Sequence, residues 1–176
     1  GSHQPSQYGN LDHLFISIQT FNNNKERFES FGRKFYDFII IDCPPALGLI
    51  TYNAMIASDH LIMVTTADGL SYSGLVMVAN LYADVKSSDR LNKNLKLSGV
   101  IITKYEKNKL SEMYYNKIRE DLREVVIEPV IHKATKIAQA ASFGQNIYDY
   151  DPDGKATQEY LRVAQTLALR VMDDIE

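Results

Sequence analysis

The sequence predicts an α/β fold: a mostly parallel sheet flanked by helices. Short β-branched runs alternate with amphipathic stretches at helical spacing, the pattern of βαβ units. One run, Phe38-Ile39-Ile40-Ile41, is apolar at every position, as suits a strand covered on both faces. The chain has 176 residues, 45% of them hydrophobic, enough for a real core and too apolar for a disordered chain.

The elements follow in order. Leu14-Phe15-Ile16-Ser17-Ile18 reads as a first strand. Asn22 to Lys34, polar with Phe28 and Phe31 spaced along it, reads as a short amphipathic helix. The Phe38–Ile41 strand stops at Asp42, because Pro44 and Pro45 have no N–H to give a ladder. Leu49 to Ala57 is then helical, and Leu61-Ile62-Met63-Val64 is a buried strand. Ser73 to Val85 is a helix with Leu75, Val78, Ala79 and Tyr82 on one face. Leu97 to Ile102 is a strand, and Leu110, Met113, Tyr114, Ile118 and Leu122 mark one face of the helix that follows. Val125 to Val130 reads as a short strand and Lys133 to Ser142 as a helix. A last helix, Lys155 to Asp173, places Tyr160, Leu161, Ala164, Leu167 and Val171 inward. Gly1-Ser2-His3 reads as a vector scar, leaving residues 4–176 as a single α/β domain.

Composition removes several function classes. With 19 basic and 22 acidic side chains the net charge is −3, which disfavours nucleic-acid binding over the whole surface but leaves room for a local patch. No apolar run approaches the ~20 residues of a membrane helix. One cysteine, Cys43, can hold neither an internal disulfide nor an iron–sulfur cluster, and it fits a reducing, cytoplasmic setting. The four histidines and Cys43 show no zinc-ligand spacing.

Asp42 is the sharpest chemical signal. Ligands of open α/β sheets bind outside the carboxyl ends of the strands, and Asp42 ends one. There a carboxylate can hold Mg²⁺ directly or through water; equally, an aspartate there can simply open a turn.

The surrounding run widens the signal. Tyr36-Asp37-Phe38-Ile39-Ile40-Ile41-Asp42-Cys43-Pro44-Pro45-Ala46-Leu47-Gly48-Leu49, continuing to Asn53-Ala54, resembles the Walker B and switch II region of the ParA family of partition ATPases. Ala57 to Val64 resembles that family's next strand, and Gly99-Val100-Ile101-Ile102-Thr103-Lys104-Tyr105 its adenine-side strand. Ser142-Phe143-Gly144-Gln145-Asn146-Ile147 with Tyr150-Asp151-Pro152 resembles its SxGxPI…YDP ending. The four motifs stand in the family's order and cover nearly everything from Leu11 onward.

The resemblance implies a P-loop NTPase-like fold and ATP with Mg²⁺ as cofactors of the complete protein. Asp42 would hold Mg²⁺ through water, with Cys43, Pro44, Pro45 and Gly48 in switch II. Thr103 and Lys104 would lie near adenine. His132 stands where the family has a proline that packs against the base. The glycine-rich KGGxGK[ST] loop of the family does not occur in the sequence: Gly154-Lys155 and Gly32-Arg33-Lys34 both fail the pattern. The expectation is therefore a piece lacking the P-loop strand and helix, the C-terminal two-thirds of a ParA-like protein, which alone does not hydrolyse ATP. The alternative is a non-enzymatic scaffold of the same fold without a P-loop.

Family partners would be a second copy in an ATP-sandwich homodimer, nonspecific DNA, and a ParB-type centromere-binding adaptor. The setting would be the nucleoid of a bacterial or archaeal cytoplasm. Thr103 to Lys136 carries a net +2 against −5 elsewhere, and the resemblance points to Lys109, Lys133 and Lys136 as DNA contacts. For any single lysine a solvated helix face is the competing reading. A MinD-like membrane ATPase would end in a basic amphipathic helix, whereas this chain ends Asp173-Asp174-Ile175-Glu176, so no membrane partner is expected. A nitrogenase-type reductase would need clustered cysteines.

Overall fold

The computed structural model describes residues 38–172 and the backbone of one strand before them, β1 (Leu14–Ser17). The helix expected over Asn22–Lys34 lies outside the described residues. The chain divides into two compact units, residues 1–58 with 85–93 and residues 59–84 with 94–176.

In the first unit β1 pairs in parallel with β2 (Ile39–Asp42), in register from Leu14↔Ile39 to Ser17↔Asp42. Strand β2 is not covered on both faces as its unbroken apolar run suggests. Its pleat sends Ile39 and Ile41 to a half-buried face, while Ile40, 56% exposed, lies on an open one. Helix α1 (Leu49–Ala57) has the predicted bounds and buries Thr51, Ala54 and Met55. Its last turn is closed from a distance in sequence. The Asn92 amide donates to the carbonyls of Met55 (3.1 Å) and Ser58 (2.6 Å), at a helix end whose carbonyls lack intrahelical partners.

In the second unit β3 (His60–Thr66) pairs in parallel with β4 (Lys96–Thr103). The register slips between Leu61↔Leu97 and Ile62↔Gly99, leaving Ser98 as an extra residue. That residue is well partnered: its hydroxyl bonds the His60 imidazole at 2.6 Å, and its carbonyl accepts from Arg170 at 3.0 Å. Past the bulge, Met63, Val100 and Ile102 share one face of the pair.

Helices α2 (Gly69–Ser87) and α3 (Lys109–Leu122) cover that face, and α6 (Lys155–Met172) covers the other. Two cores result. Met63, Leu75, Val100, Ile102, Ile118 and Val126 form the first, with Val78, Ala79, Tyr82, Tyr114 and Leu122 packed against it. Ile127, Ile131 and Val163 form the second, joined by Ile101, Tyr160 and Leu167. The predicted face of α2 is therefore the real one.

Three expectations are corrected. Leu110 and Met113 in the first turns of α3 are more than half exposed; the helix reaches the core only from Tyr114 onward. Helix α6 carries two apolar stripes, and the one bearing Val163 and Leu167 turns to the sheet. Leu161, 40% exposed, and Ala164 belong to the other. Val125–Val130 is not a regular strand. A 3₁₀ turn (Arg123–Val125) precedes it, and the chain meets β4 and the residues just past it through isolated bridges, Val100↔Val126 and Tyr105↔His132, rather than a continuous ladder. Pro129 has no N–H to continue the ladder between those points. Helix α4 runs Thr135–Ser142, inside its predicted range, and a one-turn helix, α5 (Ile147–Tyr150), follows it.

Gly99 shows how closely α6 lies on the sheet. A Cβ there would run into the Ile127 side chain and come within 3.0 Å of Leu167 Cδ2. Gly99→Ala is expected to cost about 1–3 kcal/mol by overpacking. Ile127→Val removes the colliding methyl, so in urea denaturation the double variant should be more stable than the sum of the single losses implies. Strictly additive losses would show that the two sites do not touch.

Candidate functional site

In both units the candidate residues gather where parallel strands end at their carboxyl side, the edge at which open α/β sheets place ligands. In the first unit β2 ends at Asp42, an exposed carboxylate followed by the exposed turn Cys43-Pro44-Pro45. The turn closes on α1 through one backbone and one side-chain bond to the same carbonyl. Gly48 N–H donates to the Ala46 carbonyl (3.0 Å), and the Thr51 hydroxyl caps the same oxygen at 2.8 Å. Partial desolvation, and then the neighbouring Asp42 charge, push the Cys43 thiol above its ordinary pKa although the residue is exposed, favouring the neutral thiol. Gly48 has extended backbone and open space at its Cβ, so neither its backbone conformation nor steric contact requires glycine there.

Among the described residues no three His, Cys, Asp or Glu side chains converge on a possible metal position. Mg²⁺ keeps several waters and takes one or two carboxylates, with substrate phosphates completing its shell. Asp42, exposed at a strand end, can fill that carboxylate role.

In the second unit the carboxyl end of β3 is occupied by its own polar network. Asp68 accepts from Ser71 N–H (2.9 Å), from the Ser71 hydroxyl (2.9 Å) and from the Thr66 hydroxyl. The Ser71 N–H and the Thr66 hydroxyl, chief among these donors, hold the Asp68 carboxyl below its ordinary range, and the charge favours the start of α2.

The carboxyl end of β4 is more open, and there three predicted residues come together. Thr103, the last residue of β4, donates its hydroxyl to the Thr65 carbonyl at 3.3 Å. Lys104 turns the chain with φ 51, a left-handed conformation uncommon for a side-chain-bearing residue. Tyr105 then bridges to His132 and packs edge-on against its imidazole, ring centres 5.5 Å apart. His132 is held from below by Glu159 of α6. The backbone N–H donates to Oε2 and Nδ1 donates to Oε1, both at 2.8 Å, and Lys155 lies 3.5 Å from the same carboxylate.

Glu159 is the residue that sequence reading missed. It is only 6% exposed. Burial alone would push its carboxyl up, but the His132 backbone N–H, the imidazole and Lys155 together hold it below its ordinary range. A signal was present: an acid at a core position of an amphipathic helix, between Ala156 and Val163, is there for a partner.

The three lysines assigned to DNA are less alike than their spacing suggests. Lys109 stands exposed at the start of α3. Lys133 donates to Glu106 at 2.6 Å, a bond that holds its ammonium charged and engaged. Lys136, in α4, lies 5.5 Å from the Tyr150 ring centre, and that ring stacks on exposed Phe143.

Known proteins resemble this chain in sequence and in fold. A family model described as an AAA domain matches residues 10–97, which include Asp42 and its turn. The chromosome partitioning protein ParA of Caulobacter vibrioides is 32% identical over 139 residues, 78% of this chain and 51% of that one. The chain belongs to the ParA family. Solved structures share the fold. A Cyanothece McdA–ATP complex superposes with a TM-score of 0.70 at 19% identity, over 85% of this chain and 63% of that one. The septum site-determining protein MinD with Mg-ADP from Pyrococcus horikoshii gives 0.62 at 24%, over 80% and 53%. This ParA-family chain spans about half the length of the curated relatives it matches. No described helix is long and apolar enough to cross a membrane.

The Glu159–His132 bond sets a measurable pH dependence. Glu159 has a depressed native pKa, so its stabilisation is complete above the ordinary carboxylate range near 4.3 and is lost as pH falls through the native value. Glu159→Ala, which strands two donors, should cost about 1–3 kcal/mol in urea denaturation at pH 7. The gap between variant and parent should narrow as pH falls below the ordinary carboxylate range.

Proposed function

We propose that the protein is a ParA-type partition ATPase, using ATP and Mg²⁺ to assemble a dimer on nonspecific DNA. The observation that carries this reading is Asp42, an exposed carboxylate at the carboxyl end of a parallel strand, leading into the Cys43-Pro44-Pro45 turn within the stretch matched by the family model. Asp42 would hold Mg²⁺ through water, and the metal would neutralise phosphate charge when nucleotide is bound. Residues 43–48, joined to α1 through Gly48 and Thr51, would respond to the terminal phosphate as switch II. Thr103, Lys104 and His132 would face the adenine. ATP in the Cyanothece McdA complex and Mg-ADP in the Pyrococcus MinD structure are the cofactors the family fold carries elsewhere.

In this reading a ParB-type adaptor stimulates hydrolysis and so releases the dimer from DNA, and the protein works at the nucleoid. Catalysis also needs a glycine-rich phosphate loop, whose backbone N–H groups cradle the phosphates. The 176 residues do not contain that pattern, so this stretch alone should not turn over ATP. The same observation is what favours the second reading, a scaffold of the same fold without ATPase activity.

Calorimetry of ATP-Mg²⁺ on this chain and on a form extended upstream separates the two. Binding by the extended form alone, lost in Asp42→Ala, is the expected result. No binding by either form would establish the scaffold. ATP turnover by these 176 residues that vanishes on Asp42→Ala would refute the need for the missing loop.

DNA contact should be electrostatic and independent of sequence. In the ATP-bound extended form, Lys109→Ala and Lys136→Ala should each reduce the slope of log affinity against log salt by about 0.9. Lys133→Ala should reduce it less, because that ammonium is already engaged by Glu106. Fluorescence anisotropy at several salt concentrations measures all three, and unchanged slopes would remove these lysines from the interface.

A further inference from the structure

We propose that Phe143 is an apolar wedge on the DNA-binding face, entering a groove of the duplex beside the phosphate that Lys136 engages. The inference rests on the DNA-binding reading above and deepens it, because it adds to the phosphate contacts one that salt does not screen. Among the described residues Phe143 is the most exposed aromatic side chain, 69% open to solvent. Exposure alone would say little, since single apolar side chains on a surface are ordinary. What sets Phe143 apart is how firmly it is held.

Its backbone closes α4. Phe143 N–H donates to the Gln139 and Ala140 carbonyls at 3.1 Å, and Gln145 N–H donates to Ala140 at 2.9 Å. Gly144, at φ 66, makes the left-handed turn that ends the helix. The Phe143 ring stacks on Tyr150, ring centres 5.9 Å apart and planes 17° from parallel. Tyr150 meets the same helix twice more. Its hydroxyl donates to Gln139 Oε1 at 3.4 Å, and Lys136 Nζ stands 5.5 Å from its ring centre. Positions 136, 139 and 143 are three and four residues apart, so they share one face of α4 and its end. A ring fixed in place before binding has little freedom left to lose when it is inserted.

The chemistry of this face matches DNA. A cation for phosphate, an amide and an apolar side chain that enters between base steps are what groove-binding proteins combine. One ring is too little apolar area for a protein partner, whose interface covers about 800 Å² on each side. Two neighbouring acids are engaged within their own turn: Asp149 accepts from the Asn146 amide, and the Asp151 carboxylate lies against Gly154. Asp153, past the end of α5, is exposed.

In the ATP-bound, upstream-extended form, fluorescence anisotropy of a short labelled duplex of arbitrary sequence, repeated at several salt concentrations, separates the wedge from the phosphate contacts. Phe143→Ala should weaken binding about tenfold at every salt concentration, giving a line of log affinity against log salt parallel to the parent's. Lys136→Ala should instead lower the slope, by about 0.9. Phe143→Leu keeps an apolar wedge and should retain most of the affinity. Light scattering with ATP and no DNA should find the Phe143→Ala protein dimerising as the parent does. Affinity unmoved by Phe143→Ala, a lowered slope in that variant, or a Phe143→Leu protein as weak as Phe143→Ala would each overturn the inference and leave the phosphate contacts standing. A Phe143→Ala protein that no longer dimerises would assign the face to a second copy and overturn it too. A parent that binds no DNA would overturn both the inference and the DNA-binding reading.

Discussion

The candidate base-binding end depends on one set of backbone bonds, those that draw residues 126–133 alongside β4. Ile127 N–H donates to the Val100 carbonyl, Ile131 to Ile102, Tyr105 to Ile131 and Lys133 to Tyr105, all within 2.9–3.1 Å. Side chains alone could not place His132 beside Tyr105, because the segment between Val126 and His132 has no continuous ladder. These bonds bridge the interruption at Pro129, so the chain re-enters the register of the sheet just where the strand it follows runs out. The packing obeys the same constraint. Val126 and Val130 turn to the core under α2 and α3, while Ile127 and Ile131 turn to the core under α6. An unzipped ladder would therefore cost both cores as well as the site.

Most of the secondary structure was legible in the residues, and the reasons differ by element. Helix α1 had its bounds written in the chain, with Gly48 before it and Ser58 after it. Strands β3 and β4 announced themselves as β-branched runs between polar turns. What resisted was anything settled by a partner far away in sequence. The stretch 125–130 has the composition of a strand, but a 3₁₀ turn leads into it and Pro129 has no N–H to extend a ladder. Leu161 and Val163 both fit an apolar periodicity in α6, and only the sheet decides which stripe it takes. Ile40 reads as core because its neighbours do, and its exposure reflects the absence of a layer over that face among the described residues.

The candidate site divides in a similar way. Asp42 could be nominated from sequence because it ends a predictable strand, where ligands collect; Thr103, Lys104 and His132 come from the family resemblance alone. Their roles as nucleotide contacts remain proposals. Glu159 could not be nominated in the same way, since it lies 27 residues from His132 and touches the site through that residue alone. Charge counting likewise located a basic stretch without separating its members. One lysine proves to be tied to a glutamate, one to be laid against a tyrosine, and one to stand at the start of a helix.

Arg170 gives helix α6 a second task. Its guanidinium donates to the carbonyls of Ser98 (3.0 Å), Val125 (3.1 Å) and Glu124 (2.8 Å). One end of the helix is thus fastened where β4 begins, while eleven residues earlier Glu159 is fastened to His132, beside the place where β4 ends. At 1.5 Å per residue the two fastenings are about 16 Å apart along the helix. Helix α6 behaves as a strut set parallel to a beam, and its length sets the reach of the clamp on His132. With both joints made, neither end of β4 can part from the helix without breaking hydrogen bonds of Glu159 or of Arg170.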